Sequence, residues 1–117
     1  MALEIHKHAE LLMGRADQMS VEGRSQESAK LNCQAAEAEA RVVALLPREH
    51  TRTRGIMAIS SVALYRKGGA LEQAIRQAEI FLKRDDLPDF ARLDLEEMIE
   101  EMRAELDATA AVERLPS

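Results

Sequence analysis

The sequence predicts an all-α domain of antiparallel helical hairpins, and three observations carry that expectation. Apolar residues recur every three or four positions along most of the chain. Alanine, leucine and charged helix formers dominate the composition, with aromatics at only 3%. The five glycines and three prolines lie mostly between the periodic stretches. A chain of 117 residues is the usual size of one domain and can bury a core without a metal or disulfide. A single domain is therefore expected over residues 1–111, followed by a frayed tail at 112–117.

Five helices are expected. From Leu3, the positions Ile5, Ala9, Leu12, Ala16 and Met19 fall on one helical side, and Gly23 ends the run. Ser25 or Ser28 can cap a second helix that continues without glycine or proline to Leu46. It carries two apolar stripes: Cys33, Ala36, Ala40 and Val43 on one side, and Leu31, Ala35, Ala38, Val42 and Leu45 on another. A helix apolar on two sides sits between neighbours, and its alanines permit close approach. Pro47 stops it, and Thr51 or Thr53 can cap a third helix bearing Ile56, Ile59, Val62, Ala63 and Tyr65. The pair Gly68–Gly69 closes that helix near Lys67. A fourth, from about Leu71 to Lys83, turns Leu71, Ala74, Ile75, Ala78, Phe81 and Leu82 inward. Pro88 suits the first turn of a fifth, striped by Ala91, Leu95, Met98, Met102 and Leu106.

Charge divides unevenly. Residues 1–40 carry 4 basic and 7 acidic side chains, residues 41–84 carry 9 and 3, and residues 85–117 carry 3 and 11. The overall charge of -5 thus hides segments of -3, +6 and -8. A basic middle and an acidic tail can neutralise each other in the fold or face partners separately. Like-charged neighbours one turn apart, such as Glu97 with Glu101 and Glu101 with Glu105, call for a cation from the same chain or from a partner.

The stretch from Leu64 to Leu82 places a tyrosine, a turn glycine and a small packing residue at Tyr65, Gly69 and Ala74. That spacing resembles the tetratricopeptide repeat, in which the alanine lets the second helix press on the first and the tyrosine fills the groove between them. The likeness covers Gly55 to Pro88. Ala78 and Phe81 exchange the usual large and small positions, and Pro88 falls two residues late. In an earlier hairpin, Ala9 to Leu46, Ala16, Gly23 and Ala35 keep the spacing, while Met19 replaces the tyrosine and Ser28 the packing alanine. The chain is thus similar to a degenerate tetratricopeptide array.

Side chains suited to chemistry are sparse. Glu4 with His8, and His6 with Glu10, stand one turn apart, but each pair offers two ligands where zinc takes three or four converging ones. The glutamates of the last helix have no histidine partner of the Glu-x-x-His kind. Cys33 falls in a packed helix, Ser60 and Ser61 have no histidine nearby in sequence, and no glycine-rich phosphate loop follows a strand. The six methionines suit core filling. No catalytic residue, cofactor or metal is expected. With one cysteine, no signal-peptide core and no membrane-length apolar run, the expectation is a soluble cytoplasmic protein.

The resemblance implies a non-catalytic protein–protein interaction module, adaptor or chaperone-like, that binds a peptide or helix of another protein. The first helices of the hairpins would line a groove, with Met13 and Asp17 on one and Ile59, Ala63 and Arg66 on the next. Arg66 would hold a carboxylate, over an apolar floor of Ile59 and Ala63. The fifth helix, or a second copy of the chain in a homodimer, would cap the array. Two alternatives stand beside this reading. One is a helical homo-oligomeric structural subunit using the second helix as its interface. The other is a nucleic-acid-binding regulator using Arg48, Arg52 and Arg54, which the negative net charge and scarcity of aromatics disfavour.

Overall fold

The computed structural model describes residues 1–116 and is helical throughout, with no strand among them. Its five helices are α1 (Ala2–Val21), α2 (Ser25–Leu45), α3 (Thr51–Lys67), α4 (Leu71–Leu82) and α5 (Asp89–Glu113). The all-α class and the five expected elements are present, and α5 runs to Glu113, past the expected start of the tail. Each helix packs on its neighbour in sequence, and α5 also packs on α3. The array is elongated, 55 × 32 × 16 Å. Its radius of gyration of 15.2 Å exceeds the about 13 Å of a compact domain this size.

Glycine closes each hairpin. Gly23 and Gly69 take φ of 78° and 75°, a left-handed conformation that costs glycine nothing. Around each, the same two bonds satisfy the last carbonyls of the helix. Arg24 N–H donates to Met19 at 2.8 Å and Gly23 N–H to Ser20 at 3.0 Å. Ala70 N–H donates to Tyr65 at 2.9 Å and Gly69 N–H to Arg66 at 3.0 Å. This is the Schellman geometry.

Arginine closes the turns between hairpins. Arg54, fourth residue of α3, is buried and donates through Nη2 to the carbonyls of Leu46 and Pro47 at 2.9 and 2.8 Å, and through Nη1 to Arg48 at 3.5 Å. Arg92, fourth residue of α5, donates to the carbonyl of Leu82 at 2.9 Å and to that of Arg84. Asp86 joins the two turns: it takes two 2.8 Å bonds from Arg84 and lies 3.5 Å from Arg54 Nε. The Arg84 bonds, reinforced by the Arg54 charge, hold its carboxyl below the usual range.

The core is built on α2, which packs on both α1 and α3, as its two stripes predict. Ala35, Ala36 and Val43 are fully buried, as are Ala9 and Ala16 of α1 and Ala58 and Val62 of α3. Two hydroxyls reinforce the layers, Ser28 donating to Ala16 O at 2.7 Å and Ser61 to Ala36 O at 2.8 Å. Beyond them, Tyr65, Ala74, Ala78 and Phe81 pack the second hairpin.

Four local expectations are corrected. Ser25 and Thr51 are the first residues of α2 and α3, Arg24 and His50 hold the cap positions, and no helix carries a side-chain cap bond. Ser28 is instead spent on tying α2 to α1. Ile56 and Ala63 are exposed, because the inner face of α3 runs through Ala58, Ser61, Val62 and Tyr65. On α5 the fully packed stripe passes through Ile99, leaving Met98 and Leu106 half-buried.

Gly68 and Gly14 make opposite predictions. A Cβ on Gly68 would sit 2.7 Å from Cys33 Sγ and 2.8 Å from the Ala29 carbonyl, a backbone atom that cannot swing aside. Gly68→Ala should therefore lower stability by about 1–3 kcal/mol. Gly14 lies inside exposed α1 with nothing within 4 Å of such a Cβ. Gly14→Ala should raise stability by about 0.5–1 kcal/mol. Urea unfolding of both variants reads the two signs.

Candidate functional site

Helix α2 packs between α1 and α3, and α3 packs on both α4 and α5. Lys67 Nζ lies 3.0 Å from Asp17 Oδ1, and at the other end Leu3 and Thr53 line one cleft. Both pairings differ by fifty residues, so α1 and α3 lie in register along their length. Their backbones nevertheless do not approach closely. The seam between them opens at its N-terminal end, above α2.

That opening is an apolar cleft of about 180 Å³. Ala2, Leu3 and His6 supply one wall, Thr53 and Met57 the other, and Val42 and Leu46 the base. Leu3 and Ile56 stand exposed in the helices that wall it. The volume is below the roughly 300 Å³ at which sites for small-molecule ligands begin, and it suits a single apolar side chain better than a metabolite.

The residues expected to line a groove divide between two seams. Met13 on α1 is level with Ala63 on α3 by register, and Asp17 pairs with Lys67. Met13 and Ile59 are half-buried against the core. Arg66 turns to the other seam: Nη1 lies 3.0 Å from Glu101 Oε2, and Nη2 bonds Glu105. These bonds raise its affinity for its proton and latch α3 to α5. Arg66 does hold carboxylates, and they belong to its own chain. The acidic helix is thus partly relieved internally by Arg66, while its own Arg103 lies 3.4 Å from Glu79 of α4.

The expected basic patch is likewise divided. Arg48 and Arg52 are exposed, whereas Arg54 is buried and spent on carbonyls. Arg48 and Arg54 share a polar cleft of about 530 Å³ with Lys83, Arg84, Asp85 and Asp86, so carboxylates temper its positive charge. Cys33 is half-buried, and burial, helped by Glu37, pushes its thiol up, away from the reactive thiolate.

Sequence periodicity alone could have found one further group. Glu39 is fully buried on α2, four residues after Ala35 and three before Val42, on the stripe that faces α1. Its Oε1 lies 2.9 Å from His6 Nδ1, and His6 Nε2 lies 2.7 Å from Glu10 Oε1. Burial pushes the Glu39 carboxyl up, while its bond to His6 pulls it back. The three groups form a chain instead of converging, and among the described residues no set of three such side chains could hold a metal ion.

Fold and site together define a class, an all-α array of antiparallel hairpins with an apolar cleft at one seam and an ion-paired latch at the other. No family model, curated protein or solved structure matches the chain.

The two guanidinium sites should respond differently to substitution. Arg54→Met removes a buried guanidinium from the Leu46, Pro47 and Arg48 carbonyls, the last two of which keep donors in His50 N–H and Thr51 Oγ1, and should cost about 1–3 kcal/mol, largely independent of salt. Arg66→Ala removes partly exposed ion pairs and should cost at most about 1 kcal/mol, shrinking with added salt. Urea unfolding at low and high salt checks both.

Proposed function

We propose that this chain is a non-catalytic protein-binding module whose α1–α3 seam takes a peptide or helix of another protein. The observation that carries the reading is the apolar cleft at the seam's N-terminal end, open between two helices that run in register without backbone contact. An apolar anchor side chain inserted there, with the segment lying along the seam, is the helix-in-groove mode of recognition. An adaptor or chaperone-like role follows from such a site.

The expected tetratricopeptide likeness rests on three residues of the second hairpin. Tyr65 and Ala74 are buried between the helices of the second hairpin, and Gly69 makes its left-handed turn. No described helix is long and apolar enough to cross a membrane. A cytoplasmic setting fits the one unpaired cysteine.

A second reading, a homo-oligomeric structural subunit, draws on the outer helices. Leu11 and Val21 of α1 are 69% and 89% exposed, and Leu93 of α5 is 66% exposed. The interface would then lie at the ends of the array, because the remaining face of α2 carries Gln26, Lys30, Gln34, Glu37 and Arg41. Nucleic-acid binding has less support, since Arg54 is withdrawn from the surface.

Affinity capture from the source cell tests the proposal with two variants. Met57→Glu puts a charge in the apolar cleft and should weaken capture of a partner at least tenfold, with helicity unchanged. Arg66→Gln, on the latched seam, should leave that capture intact. A captured set indifferent to Met57→Glu overturns the cleft assignment. Sedimentation of the wild type as a stable oligomer favours the second reading.

A further inference from the structure

The chain Glu10–His6–Glu39 carries a consequence independent of what the cleft binds. Both ring nitrogens of His6 lie within hydrogen-bond distance of a carboxylate oxygen, at 2.9 Å on the Glu39 side and 2.7 Å on the Glu10 side. A neutral imidazole has only one N–H to donate. Satisfying both contacts therefore requires one proton more than a neutral imidazole and two carboxylates possess. It can reside on the ring, as imidazolium, or on a carboxyl oxygen. The proton count is the same in each arrangement.

We propose that α1 is held on the array by this shared proton, so that its docking against α2 is gated by pH. Loss of the proton either breaks the hydrogen bond to Glu39 or turns the close Nε2–Glu10 contact from an ion pair into a repulsion, and it leaves an ionised carboxylate at Glu39, which is fully buried and whose Oε2 already has no hydrogen-bond partner. A buried charge left uncompensated is strongly unfavourable. Nothing else packed on α2 supplies a replacement cation. On α1 only His6 and Glu10 act on Glu39. On α3, Arg54 is bound to carbonyls and Asp86, Arg66 to Glu101 and Glu105, and Lys67 to Asp17, while Arg52 is exposed near the start of the helix.

The cost falls on α1 because α1 has one packing neighbour. Its backbone approaches only α2, and its link to α3 is the exposed Asp17–Lys67 pair. The direction follows from linkage. The docked state binds the extra proton and the undocked state releases it more readily, so rising pH shifts α1 toward undocking. Burial acts on Glu39 in the same sense: with its folded-state affinity for protons raised, its favourable contribution is present in acid and is lost as pH rises. His6 also lines the apolar cleft, so the same proton sets how firmly one wall of the cleft is held.

Hydrogen exchange of the full chain between about pH 6 and 9, corrected for intrinsic amide rates, tests the gate. The opening constant of α1 amides such as Leu12 and Ala16 should rise by up to about tenfold per pH unit through the titration, the slope of one proton. Amides of Val62 and Leu95 should stay flat. Glu39→Gln should flatten the α1 response. Should that variant fail to fold, nitrogen and carbon NMR of the wild type decides, with His8 and His50 as references in the same spectra. The proposal expects either a doubly protonated His6 ring or a protonated Glu39 carboxyl at neutral pH. It is overturned by a pH-independent α1, by an unchanged slope in folded Glu39→Gln, or by a His6 ring with one bare nitrogen beside an ionised Glu39.

Discussion

Two guanidinium groups, one buried and one half-buried, set how the hairpins of this protein stack. A helix ends with carbonyls that no amide of its own reaches, and where that end is covered by the next element they must find other donors. At the ends of α2 and α4 the donors come from Arg54 and Arg92, each the fourth residue of the following helix. One side chain therefore satisfies the finished helix and fixes where the new one begins. At the ends of α1 and α3 the carbonyls are satisfied by left-handed glycine turns, which need no donor from outside. Glycine makes the reversal within each hairpin, and arginine makes the junction between them. Asp86 then couples the two junctions by sharing its carboxylate with Arg84 and Arg54.

Local chemistry was legible in the sequence to the extent that it is local. Gly23, Gly69, Pro47 and Pro88 punctuate the chain where the helices end or begin, because a left-handed turn or a missing N–H constrains the backbone whatever the surroundings. The two-sided α2 was equally readable from its alanines. Arg54 was not, since a charged side chain in a basic run reads as surface until the carbonyls of a preceding helix are brought to it. Ile56 was misplaced for the converse reason. It sits near an apolar stripe, but close packing favours the smaller Ala58 and Ser61, and the larger side chain remains exposed. The helix starts lack side-chain caps because Ser28 serves a neighbouring helix and the first turns of α3 and α5 lie beside the arginine junctions.

The candidate site follows the same division. The basic middle and acidic tail meet at one seam, where Arg66 binds Glu101 and Glu105, and this closes α3 on α5. Glu96, Glu97 and Glu100 remain exposed without an ion pair among the described residues. The other seam, between α1 and α3, has the Asp17–Lys67 pair as its one ion pair among the described residues and opens at its N-terminal end above α2. Helical register sets Met13 level with Ala63, and Asp17 with Lys67, to which it is paired. Sequence assigned Arg66 to the same groove because periodicity fixes the face of a helix but not which neighbour that face meets.

The packing order also bears on how fast the molecule can assemble. Every helix rests on the one before it, and the sole exception, α3 with α5, skips a single element. The loops that must close are short, and little chain entropy is spent before each new contact forms. Such low contact order belongs to chains that fold in microseconds to milliseconds, and the first hairpin is able to form while the rest is still being synthesised.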